Sequence, residues 1–102
     1  MKKRIYISGA IAHDDIEERR KAFALAERYL SMKGYDPVNP FKNGLPEDAH
    51  WMEHMRADIA KLLQCDGIYM LVGWELSKGA KLELDVASSC GIEVMFQNQK
   101  EW

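Results

Sequence analysis

Gly67-Ile68-Tyr69-Met70-Leu71-Val72-Gly73-Trp74-Glu75-Leu76-Ser77-Lys78-Gly79-Ala80-Lys81-Leu82-Glu83 is the stretch that decides the fold. Gly67 to Val72 is an apolar run of strand length, and Gly73 to Leu76 reads as a loop. Ser77 is a natural N-cap, and Lys78 to Cys90 follows as a helix with Ala80, Leu84 and Ala87 on one face. Gly91 stops that helix, and Ile92 to Phe96 returns as a strand. A strand, a helix and a second strand joined this tightly form a βαβ unit, which implies a parallel pair with a right-handed crossover.

The same grammar extends toward the N-terminus. Arg4-Ile5-Tyr6-Ile7-Ser8 is β-branched and aromatic and ends at Gly9, so it reads as the first strand. Asp14 followed by Glu17 makes an acidic variant of the capping box, and Ile16, Phe23, Ala26 and Leu30 recur at helical spacing until Gly34. Tyr35 to Asn39 is a short second strand closed by Pro40. Phe41 to Asp48, with Asn43-Gly44 and Pro46, is the longest loop. A second helix carries Met52, Met55, Ile59, Leu62 and Leu63 as an apolar stripe and ends near Cys65. The resulting order, β-α-β-α-β-α-β, predicts a three-layer αβα doubly wound sandwich around a mostly parallel four-stranded sheet of order 2-1-3-4. Ligands in such sheets bind beyond the carboxyl ends of the strands, which here are the loops starting at Ser8, Asn39 and Val72.

Composition narrows the function. The 102 residues are 47% hydrophobic, enough for one core and too few for two ordinary domains, so residues 1–102 are expected to form a single domain. The apolar run behind the basic Met1 to Arg4 is broken by Gly9, His13 and Asp14, which leaves no signal-peptide core and no membrane span. Cys65 and Cys90 stand apart, without the spacing of a zinc or redox motif, and fit a reducing cytoplasm. The net charge is -2, and basic residues alternate with acidic ones in Glu17 to Arg20, Glu27 to Lys33 and Glu53 to Lys61. No continuous positive stripe results, which argues against polymeric DNA or RNA while leaving room for a single nucleotide. No cofactor is expected.

Two acids are too polar for their places. Asp58 lies three residues after Met55 and four before Leu62, on the flank of the buried stripe. Either it pairs with Arg56, Lys61 or water at the helix edge, or burial raises its pKa toward that of a general acid. Glu83 lies between Ala80 and Ala87 on the helix that Ser77 opens. One reading pairs it with Lys78 or Lys81 at the surface. The other keeps it ionised near the helix N-terminus and points it above the sheet as a nucleophile toward a sugar carbon, with a second acid assisting departure. Around these acids, Tyr6 and Ser8 end the first strand and Gly9 lets the backbone turn close to a bound group, although Tyr6 also suits a core aromatic. Asn39 opens the second ligand loop. Ser77 and Gly79 suit a phosphate or sugar hydroxyl, although capping alone explains Ser77. Trp74 can stack on a base or cover the core edge. His50-Trp51-Met52-Glu53-His54 matches H-x-x-E-H, a zinc-peptidase spacing that here lacks a third ligand; the opposing reading makes both histidines rim or surface groups.

Ile5-Tyr6-Ile7-Ser8-Gly9, Val38-Asn39-Pro40, Arg56-Ala57-Asp58, Cys65-Asp66-Gly67-Ile68-Tyr69 and, most specifically, Gly73 to Glu83 resemble the nucleoside 2-deoxyribosyltransferase-like superfamily, in its small uncharacterised bacterial and phage branch. The resemblance spans about residues 4 to 96. It implies that Glu83, in Gly79-Ala80-Lys81-Leu82-Glu83, is the nucleophile, that Asp58 protonates the departing base and that Tyr6 orients Glu83. It also implies that Ser77, six residues before the nucleophile, tilts the substrate toward a nucleoside 5'-monophosphate. The chain departs from the pattern in the Gly9-Ala10-Ile11-Ala12 turn, which lacks a proline. It also stops soon after the fourth strand, where the characterised enzymes continue with segments that complete a neighbour's pocket, so part of the site is expected to be missing. A symmetric homo-oligomer, most economically a dimer, is implied. The expected function is cleavage or transfer of an N-glycosidic bond through a glycosyl-Glu intermediate, against a non-catalytic nucleotide-binding module as the alternative.

Overall fold

The computed structural model describes residues 2–11 and 15–98. Four strands, β1 (Arg4–Ser8), β2 (Asp36–Val38), β3 (Gly67–Met70) and β4 (Glu93–Phe96), alternate with three helices, α1 (Ile16–Met32), α2 (Trp51–Leu62) and α3 (Lys78–Ser89). The sheet runs β2-β1-β3-β4, and every pair is parallel. The order is the one expected, with β1 and β3 central and β2 and β4 at the edges.

Alternation along the strands sorts the core into two faces. Ile5, Ile7, Tyr69 and Leu71 meet Phe23, Ala26 and Leu30 of α1 on one face. Tyr6, Ile68 and Met70 meet Leu62 of α2 and Ala80 and Ala87 of α3 on the other. The register Tyr6↔Ile68 and Ser8↔Met70 therefore places Tyr6 and Ser8 beneath α2 and α3. Asp66 ties the two central strands at their start, its carboxylate accepting the Arg4 N–H at 2.9 Å.

Several boundaries differ from those expected. The second strand is only Asp36–Val38, because the Tyr35 N–H is taken by Leu30 O at the end of α1 and Asn39 caps the turn that follows; Pro37, which lacks an N–H, is tolerated at this edge of the sheet. The third strand pairs only to Met70, after which Leu71 N–H still bonds Ser8 O at 2.8 Å. Pro40–Lys42 and Trp74–Leu76, read as loop, each form a turn of 3-10 helix. Asp15 caps α1, its side chain accepting from Glu17 N–H; the expected capping residue Asp14 lies outside the described residues. In α2 the buried line is Met55, Asp58 and Leu62, whereas Met52 is 67% and Leu63 54% exposed. Three- and four-residue spacing gives that line to Asp58, and the two apolar ends of the expected stripe fall outside it. Gly34 and Gly91, at φ of 90° and 74°, end α1 and α3 as anticipated. No helix among the described residues is long and apolar enough to cross a membrane.

Candidate active site

The last turn of β1 and the second turn of α3 meet at one carboxylate. Tyr6 and Ser8 are two residues apart on a strand and so project to the same side, and α3 lays Glu83 across them. Tyr6 Oη donates to Glu83 Oε2 at 2.6 Å, and Ser8 Oγ donates to Oε1 at 2.7 Å. Both oxygens are thus held by hydroxyls, and the three side chains are 0%, 1% and 5% exposed for Tyr6, Ser8 and Glu83. Two hydroxyls donating to one carboxyl bond its ionised form most strongly, so this geometry favours the anion.

Burial opposes it. Desolvation pushes Glu83 up to about 7; the bonds from Tyr6 and Ser8 pull the other way, and the negative charge of Asp58 adds to the rise. The place of Glu83 near the α3 N-terminus suggested an ionised carboxylate; burial instead lifts it to about 7, against the pull of the two hydroxyls. Tyr6 is held well above its ordinary value, first by burial and then by the charge of Glu83, so it stays a donor.

Asp58 is the second buried acid, 6% exposed. Its pKa is raised by burial and drawn back by the Asn43 hydrogen bond and by His54. Asn43 Nδ2 donates to Asp58 Oδ1 at 3.0 Å and also lies 3.0 Å from His54 Nδ1. That the charge of Asp58 raises both Glu83 and Tyr6 shows the acids sharing one electrostatic neighbourhood. Tyr6, Asp58, Asn43 and Asn39 border a hollow of about 200 Å³ between β1, β2 and α2, with Arg4, Glu27, Asp36, Lys42 and Lys61 also in its wall; Glu83, Ser8, Trp74, Ser77 and Gly79 lie outside that lining, so the structure brings Tyr6 and not Glu83 itself to the hollow.

The remaining expected residues are placed as follows. Asn39 is buried at the hollow, its Oδ1 accepting the Phe41 N–H and its Nδ2 donating to Glu27 at 3.3 Å. Ser77 caps α3, its Oγ accepting the Ala80 N–H at 3.1 Å. Gly79 lets α2 approach α3: a Cβ there would stand 3.2 Å from Met55 Sδ. Gly9 does the same for Leu71, whose side chain would lie 3.0 Å from an added Cβ. Trp74 is half-buried with its ring 5.9 Å from Phe96, over the edge of β4. His50 begins α2 exposed and without a capping bond, and Glu53 is exposed too. Among the described residues no three His, Cys, Asp or Glu side chains gather as a metal site requires. Sequence reasoning missed Asn43, whose pairing with Gly44 signalled a turn and nothing else, and it missed the position of His54, four residues before Asp58 and hence on the same helix face.

A family model described as a domain of unknown function, DUF4406, matches residues 3–96. No curated protein matches. Among solved structures, the chain is similar to the 2-deoxyribosyltransferase of the psychrotolerant bacterium Bacillus psychrosaccharolyticus, with TM-score 0.72 and 22% identity, over 91% of this chain and 70% of that one. It is also similar to the CMP N-glycosidase BcmB of Clostridium botulinum, with TM-score 0.62 and 21% identity, over 92% and 67% of the two chains. A 2-deoxyribosyltransferase from Leishmania mexicana aligns with TM-score 0.68 and 23% identity, over 92% of this chain and 63% of its own length. Identities this low establish a common fold.

Proposed function

We propose that this chain, which belongs to the DUF4406 family, breaks the N-glycosidic bond of a nucleoside or nucleoside 5'-monophosphate, with Glu83 as nucleophile and Asp58 as general acid. The observation that carries the reading is a buried carboxylate clamped by two hydroxyls beside a second buried acid, at the carboxyl end of a central strand. An ionised Glu83 oxygen attacks the anomeric carbon; the carbon–nitrogen bond breaks, its electron pair leaves with the base, and the Asp58 proton neutralises that nitrogen. Water, giving hydrolysis, or a second base, giving transfer, then attacks the anomeric carbon; the carbon–oxygen bond to Glu83 breaks, its electron pair returns to the carboxylate, and the attacking group's proton passes to Asp58. Tyr6 and Ser8 hold Glu83 in line throughout, which removes a rotational cost from the attack. A Glu83 near its midpoint at pH 7 is ionised often enough to attack and basic enough to form the ester readily.

Structural neighbours named for 2-deoxyribosyl transfer and CMP N-glycosidase activity support this reading. Ser77 and Gly79, in the first turn of α3, take the sugar-phosphate end, and Asn39 borders the base. A symmetric dimer belongs to the same reading and is tested by sedimentation velocity. The function itself is tested by incubating the protein with a panel of ribo- and deoxyribonucleosides and their 5'-monophosphates and measuring free base by chromatography. Base release that disappears in Glu83→Ala is the expected result. Ligand-induced thermal stabilisation without release from any member of the panel would replace the enzyme with a nucleotide-binding module.

A further inference from the structure

Asn43 holds three partners from one side chain. Its Oδ1 accepts the Leu45 N–H at 3.0 Å, while Nδ2 donates to Asp58 Oδ1 and stands 3.0 Å from His54 Nδ1. A backbone N–H only donates, so the amide oxygen must face Leu45 and the two-hydrogen end must face α2. One of those hydrogens is on Asp58 Oδ1 and the other faces His54 Nδ1; when the ring is uncharged this makes Nδ1 the acceptor and places the hydrogen on Nε2, whereas the charged ring, whose attraction lowers the Asp58 pKa, carries a hydrogen on Nδ1 and cannot take that bond. We propose that Asn43 is the positioning residue for Asp58, bridging a neutral Nε2–H His54 to Asp58 Oδ1 and so reserving Oδ2 as the oxygen that carries a proton toward the hollow. The role rests on Asp58 being the general acid of the proposed reaction. The charged and titratable groups around Asp58 are His54 on its own helix, Tyr6 from β1 and Glu83 from α3, with the cations Arg4, Lys42 and Lys61 and the carboxylates Glu27 and Asp36 around the hollow.

The test is nitrogen NMR of the His54 ring and a carbon-detected titration of the Asp58 carboxyl, both in the full chain, with and without Asn43→Ala. In the unaltered protein at pH 8 the ring is expected as the Nε2–H tautomer, with Nδ1 shifted as a hydrogen-bonded acceptor. In Asn43→Ala the Nδ1 signal moves to that of an unbonded ring and the Asp58 midpoint rises, because the lost bond favoured the ionised form. A His54 carrying its hydrogen on Nδ1 in the unaltered protein overturns the proposal without any variant, and so does an Asp58 midpoint that the substitution leaves in place. Neither readout needs turnover, so a protein that releases no base refutes the reaction while the clamp is judged separately. Where base is released, Asn43→Ala is expected to lower kcat about tenfold with KM nearly unchanged and to move the alkaline limb of kcat to higher pH. A limb that stays fixed contradicts the positioning role.

Discussion

Replacing Glu83 by Gln is expected to stabilise the fold, and to do so only as the pH rises. The wild-type carboxyl titrates at about 7 in the folded chain against an ordinary 4.5. Below 4.5 both states carry the proton, and the group leaves stability unchanged. Between 4.5 and about 7 the unfolded chain releases its proton while the folded chain keeps it, so stability falls with pH; above 7 both are ionised and the full cost persists. At about 1.4 kcal/mol per pH unit, that cost is about 3 kcal/mol, a large share of the stability of a domain this size. Gln keeps the shape, and either hydroxyl can turn to accept from its amide. Urea unfolding of both proteins at pH 4, 6 and 8 and constant ionic strength reads the effect, since titrating groups remote from Glu83 cancel in the difference and Asp58, whose charge is coupled to Glu83, adds only a secondary part. The advantage of Glu83→Gln over wild type should grow by about 3 kcal/mol from pH 4 to pH 8. A difference independent of pH would refute the reasoning, because it would mean that the buried carboxyl ionises as readily as a free one.

Tyr6→Phe removes the 2.6 Å bond to Glu83, and a charged hydrogen bond of about 1.5–3 kcal/mol translates into a kcat lower by roughly 10- to 100-fold. Since that bond pulls the Glu83 pKa down and the nucleophile must be ionised, the acid limb of the rate profile should also move to higher pH. Gly67→Ala brings a Cβ to 2.9 Å from Ile5 Cδ1 and 3.3 Å from Glu93 O, and denaturant unfolding should show a loss of about 1–3 kcal/mol. Phe23→Ala empties a fully buried site edge-on to Phe41 at 5.1 Å and should cost about 3–5 kcal/mol by the same assay.

Strand order and helix placement were legible because local signals agreed with the global fold at each step: Ser77 and Gly91 bound α3, and Ile5 and Ile7 alternate with Tyr6 and Ser8. Glu83 and Asp58 could be singled out as acids among buried spacings, and both are buried. Their charge states could not be read the same way. The desolvation that lifts Glu83 depends on how tightly β1 and α3 close, which no local pattern records. Ser8 illustrates the same limit. Its position at the end of the first strand suggested a place beside a bound group, whereas its hydroxyl hydrogen lies on Glu83, a pairing 75 residues apart in the chain. Asn43 serves a turn through Oδ1 and the acid through Nδ2, and only the first function has a local signature. The H-x-x-E-H spacing drew attention to His50 and His54 as a pair, but the partner of His54 on the helix face is Asp58, and the bridging group comes from a loop.

The most direct test of the central claim is to trap the glycosyl ester. A nucleoside bearing fluorine at the 2' position slows ester breakdown by destabilising the cation-like transition state, and peptide mass mapping then locates any sugar on the chain. One equivalent of fluorosugar is expected on the peptide containing Glu83, with matching release of free base. Base released with no adduct, or an adduct on a different side chain, would contradict that claim.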